Sequence, residues 1–197
     1  MNRLFITIIT IFTLVSTSYA QLDQGMLALK GQFGYANLQG ELGENGSAGL
    51  AGSADVRYFI MDKLAVGGEI SHAIIGFGDD NSFIGISAYG ATGYNAKGEF
   101  YFLNKGFSPY VGLAAGVARV TTPEFTSDAG VLVPEEGKTN FGFSPRIGLK
   151  MGNVQLEAAY NVMGRTPTSE FQNVSSSNKP FNYLSITIGY SRAFELN

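Results

Sequence analysis

Between Leu27 and Tyr190 apolar residues keep returning at every second position, with small or polar residues between them, and this limits the chain to β-strands with two unlike faces. Leu27, Leu29, Phe33 and Tyr35 alternate with Ala28, Lys30, Gln32 and Gly34. Segments 50–60, 64–71, 94–102, 110–117, 140–151, 154–162 and 184–191 repeat the pattern, which predicts eight strands in all. After residue 20 no uncharged apolar run approaches the ~20 residues that a membrane-spanning helix needs. Any crossing of a bilayer therefore falls to strands.

The connections alternate in length. Met61-Asp62-Lys63, Leu103 to Gly106 and Met151-Gly152-Asn153 are tight turns, whereas the connections near residues 38–49, 76–83, 121–139 and 164–181 are long. Short turns on one side and long loops on the other are the habit of transmembrane barrels, whose short turns face the periplasm. An even strand count puts both termini on that side. Strand pattern also runs back from Leu103 to Phe83, too far merely to span, which predicts a hairpin that projects outside.

A soluble barrel would show the same alternation with its apolar face inward, so the polar face has to decide. Facing water, it would be rich in Lys, Glu and Gln; here it is mostly Gly, Ala, Ser and Asn, which suit the narrow interior of an eight-stranded barrel. The apolar face is almost free of charge, and Tyr35, Tyr58, Phe102 and Tyr160 fall where an interfacial girdle belongs. The expectation is an all-β, eight-stranded antiparallel up-and-down transmembrane β-barrel, closed because lipid tolerates no open sheet edge.

The first twenty residues read differently. Arg3 precedes an apolar run from Leu4 to Val15, and Ser18-Tyr19-Ala20 offers small residues where cleavage needs them. Residues 1–20 are thus expected to be a secretory signal peptide, and residues 21–197 a single barrel domain. With no Cys there is neither a disulfide nor a lipid-bearing cysteine. The formal net charge of −3 becomes −4 once Arg3 is removed, which argues against nucleic acid as a partner.

Phe59-Ile60-Met61-Asp62-Lys63-Leu64-Ala65-Val66-Gly67, Ser108-Pro109-Tyr110-Val111-Gly112-Leu113 and the closing Tyr183-Leu184-Ser185-Ile186-Thr187-Ile188-Gly189-Tyr190 resemble the small bacterial outer-membrane β-barrel family, which includes outer membrane proteins A, X and W. The resemblance implies the bacterial outer membrane as location, its lipid bilayer as surroundings, and insertion by the barrel-assembly machinery. That machinery reads a final strand ending in an aromatic residue. Phe194 fits this role, although Arg192 stands where a hydrophobic residue is usual and Glu195-Leu196-Asn197 follow.

Two sets of residues invite chemistry. His72, the single histidine, continues the outward parity of Leu64, Val66, Gly68 and Ile70, while Ser71 and Glu69 point the other way; a nucleophile triad needs those groups within hydrogen-bond reach. An interfacial histidine is the expected role. Asp79-Asp80-Asn81-Ser82, Glu41 to Glu44 and Glu135-Glu136-Gly137-Lys138 read as acidic solvated loops, and Asn45-Gly46-Ser47 and Asn173-Val174-Ser175 as triplets without meaning in a bacterial barrel. The second set faces inward: Lys30, Arg57, Lys97, Arg146 and Lys150 with Asp55, Glu69, Glu99 and Glu157, five positive against four negative. Such near-balance predicts a paired network that plugs the lumen, its long side chains filling the space left by Gly112, Gly116, Gly142 and Gly148. The expected function is a non-enzymatic structural or surface-interaction scaffold, monomeric and without a cofactor. A lipid A modifying enzyme resting on His72 and a narrow pore or carrier for small apolar compounds are the alternatives.

Overall fold

The computed structural model describes residues 23–43, 48–78, 86–103, 106–121, 123–124, 133–134, 137–166 and 179–195. Eight strands form one closed antiparallel barrel: β1 (Met26–Gln39), β2 (Ala48–Met61), β3 (Leu64–Gly78), β4 (Ile86–Tyr101), β5 (Phe107–Thr121), β6 (Lys138–Met151), β7 (Val154–Arg165) and β8 (Pro180–Glu195). Each strand pairs with its sequence neighbours, and β1 closes on β8 from Met26↔Glu195 to Gln39↔Asn182. The expected up-and-down barrel is the observed one. Outside it, the described residues include a 3-10 turn at Gly40–Leu42 and a two-residue ladder of Pro123–Glu124 with Val133–Pro134.

The register fixes the width. Partners followed from Leu29 through Val56, Gly68, Ala96, Ala115, Phe143, Val162 and Asn182 return to β1 at Gln39, ten residues further along. With a rise of ~3.3 Å per residue and ~4.8 Å between strands, a shear of ten tilts the strands by about 40° and gives a backbone radius of about 8 Å. Side chains of the barrel itself fill such a space.

Short connections at one end, residues 62–63, 102–106 and 152–153, contrast with 40–47, 79–85, 122–137 and 166–179 at the other. Gly106 and Gly152 take the left-handed backbone of tight turns, with φ of 65° and 59°. Strands β3 and β4, 15 and 16 residues long, exceed the ~9–11 that a tilted strand needs to span a bilayer, and they remain paired out to Gly78↔Ile86. The hairpin is thus extended towards the long-loop end; Phe83 lies outside the described residues.

Parity assigns the faces as expected. Phe33, Leu50 and Phe141 are more than 70 % exposed on the outer wall, whereas Lys30, Arg57 and Glu99 are at most 3 % exposed inside. The interior is layered along the axis. Phe59, Tyr101 and Tyr110 pack with Ala28 and Ala65 towards the short-turn end. Charged residues lie above them, followed by Ser71, Ser144, Asn161 and Ser185. Leu38, Ile75, Tyr89, Val120, Phe181 and Tyr183 then make an apolar layer under the long-loop end.

Candidate functional site: a charge network in the lumen

Alternation alone brings these charges together, because every second residue of eight tilted strands converges on the same narrow axis. All nine charged residues expected inside are buried. Eight of them, contributed by β1, β2, β3, β4, β6 and β7, join in one network of four cations and four anions. Lys97 lies 2.7 Å from Asp55, 2.9 Å from Glu99 and 3.2 Å from Glu69. Arg57 reaches Asp55 at 2.8 Å and Glu99 at 2.5 Å. Arg146 grips Glu69 with both terminal nitrogens, at 2.6 and 3.0 Å, and meets Glu157 at 3.1 Å. Lys30 completes the set at 2.9 Å from Glu157. Nearer the short-turn end, Lys150 donates to the Gly152 carbonyl at 2.6 Å.

Taking charges out of water costs several kcal/mol per ion, which pairing offsets only where geometry and further hydrogen bonds are good. Tyr101 and Tyr110 supply some of those bonds, donating to Glu99 at 2.6 Å and to Glu157 at 2.8 Å. Gln32 donates to Glu157 at 3.0 Å, and Arg57 donates to Ser191 at 2.8 Å. With Tyr110 from β5 and Ser191 from β8, every strand of the barrel contributes. The sequence placed both tyrosines inward by parity but offered no sign that their hydroxyls would serve the carboxylates.

The expected filling of the glycine spaces is corrected in part. Over Gly112 lie the stems of Arg146 and Glu99, as expected for a charged plug. Over Gly148, however, lies the ring of Tyr110, and beside Gly142 are Ala118 and Met163. At Gly116 an added Cβ would meet the Tyr94 backbone, so glycine is needed there for close strand approach. A cavity of about 20 Å³ beside the network, bounded by Gln32, Ser71, Arg146 and Tyr183 among others, has room for about one water molecule.

His72 lies on the outer wall, its Nδ1 hydrogen-bonded to Thr92 Oγ1 at 2.9 Å, with Gly52 as its other cross-strand neighbour. Ser71 and Glu69 are buried on the opposite face. Arg192 also points outward, and its guanidinium stacks 5.4 Å from the Phe194 ring centre, which accommodates a cation in the final strand. Asp79 to Ser82, Glu135, Glu136, Glu44, the two Asn triplets and residues 1–20, expected to be a signal peptide, all lie outside the described residues.

Neisserial surface protein A has a similar solved structure, with a TM-score of 0.55 and 16% identity, covering 85% of this chain and 99% of that one. The attachment invasion locus protein Ail of Yersinia pestis, crystallised with the heparin analogue sucrose octasulfate, gives a TM-score of 0.53 at 14% identity over 86% of this chain and 99% of its own. No protein-family model and no curated protein sequence matches the chain. The fold is that of the small eight-stranded outer-membrane β-barrels.

Proposed function

We propose, from that shared fold, that the chain is a non-enzymatic outer-membrane scaffold: a plugged, monomeric barrel that holds long extracellular loops as its interaction surface. Cleavage after Ala20 and insertion by the barrel-assembly machinery belong to this reading. The observation that carries it is the lumen, where balanced ion pairs and two apolar layers occupy a space only about 8 Å in backbone radius. A solute path needs the opposite, an interior with free polar walls.

Charge narrows the partner of the loops. Across residues 40–47, 79–85, 122–137 and 166–179 the sequence has nine acidic residues and a single basic one, Lys179. Lys179 in turn lies 3.7 Å from Glu41. A sulfated polyanion such as the one crystallised with Ail would be repelled, so a cationic surface is the better complement.

Two measurements test this reading. In planar bilayers the purified protein should give no stable, large, ohmic single-channel current; such currents would replace the scaffold by a pore. His72→Ala should leave lipid A acylation unchanged in cells expressing the protein, since the Thr92 hydroxyl is the group that His72 meets. A change in acylation would revive the enzyme.

A further inference from the structure

The outer wall is not uniform. On β5 to β8 it carries a hollow of about 460 Å³, lined by Phe102, Val111, Ile147, Leu149, Leu156 and Ile186. Its floor is made of small residues. Ala158 pairs with Ile147 on one side and Ile186 on the other, so a methyl group lies between two branched chains and leaves a notch. Next to it Gly148, paired with Glu157, has no side chain, and the Tyr110 ring closes the wall from inside. The hollow starts at the short-turn rim, where Phe102 and Pro109 lie, and climbs to Ile186 at mid-wall.

We infer that this hollow is a binding site for one acyl chain of a phospholipid in the periplasmic leaflet. The inference rests on the membrane-spanning reading above, and it adds to that reading a fixed lipid at a defined place. Size is the first argument. The hollow runs from Phe102 and Pro109 at the rim to Ile186 at mid-wall, room for a hydrocarbon chain laid along it. Chemistry is the second: the lining side chains that face outward are all hydrocarbon. Position is the third, because the hollow opens at the short-turn rim and so draws its occupant from the leaflet on that side. Between two apolar phases there is no hydrophobic gain, and retention comes from contact. A notch walled by Ile147, Leu156 and Ile186 surrounds a chain on three sides, where a smooth wall touches it on one, and dispersion attraction scales with those contacts.

The test uses the full mature chain in vesicles of phosphatidylethanolamine and phosphatidylglycerol, with a trace of phosphatidylethanolamine spin-labelled near the methyl end of one chain. The parent protein should show a motionally restricted lipid component in electron spin resonance, and native mass spectrometry should find one phospholipid retained after extraction. Ala158→Phe fills the notch and should abolish both signals. Ala54→Phe, on the outward face of β2 on the opposite side of the barrel, should leave them intact. Equal signals in the two variants would reduce the hollow to ordinary boundary lipid and overturn the site. Sedimentation of the parent as a dimer that Ala158→Phe dissociates would assign the hollow to a second copy and overturn it too. Failure of the parent to insert into the vesicles would instead sink the membrane reading itself.

Discussion

Arg146 shows what one side chain does in this barrel. Its planar fork satisfies both oxygens of Glu69 and reaches Glu157 as well, a geometry that lysine lacks. Arg146→Ala leaves Glu69 with Lys97 as its remaining ion-pair partner among the described residues, and breaking a buried pair in this way costs about 3–5 kcal/mol. Urea unfolding in phospholipid vesicles should read that loss. The double variant Arg146→Met with Glu69→Gln should recover much of it, since removing both partners avoids the uncompensated charge. That these charges face inward was legible, because parity is a property of sequence alone. Which carboxylate each cation meets was not: Lys30 and Glu157 are 127 positions apart in the chain, and only the ten-residue shear brings them to one level.

At the level of the strand, depth sets the effect of a substitution. On β5 the outward Leu113 is in mid-strand, which the proposed membrane span places in the hydrocarbon, whereas the outward Phe107 begins the strand at the short-turn rim. Leu113→Lys should cost about 2–4 kcal/mol and Phe107→Lys only about 0–1, when both are measured by reversible unfolding in vesicles. Loss of equal size at the two positions would contradict the assigned span. The outward faces were readable over every strand, because hydrocarbon requires an unbroken apolar period. Strand ends were less so. On β1 the alternation was read to Tyr35 but pairing continues to Gln39, and on β3 Ile74 and Ile75 are both apolar although one faces out and the other in. Past the bilayer the interior becomes apolar, as Leu38, Ile75 and Phe181 show, so the contrast between faces that marks a strand fades there.

For the molecule as a whole, closure is the dominant fact. No edge among the eight strands is left for another chain to pair with, and a closed sheet has to lose many bonds together before it opens. The mature protein should therefore migrate on gels in a compact form without heating and in a slower form after boiling, and it should fractionate with the outer membrane. Recovery of intact mature chain in the soluble periplasm would overturn both expectations. Strand number was legible in the eight alternating segments and closure in the intolerance of lipid for an open sheet edge, while the layering of the lumen came only with the register.

The reach of the lumen network across all eight strands also bears on how such a chain can vary. The loops attach above the apolar layer of Leu38, Ile75 and Phe181, well away from the ion pairs, so they can be lengthened, shortened or exchanged with little effect on the plug. A hairpin cannot. Exchanging β1 and β2 for those of another barrel would remove Lys30, Asp55 and Arg57 and leave Lys97 and Arg146 facing Glu69, Glu99 and Glu157, two buried cations against three anions. Diversity in this architecture is thus channelled to its rim, and the wall has to be inherited whole.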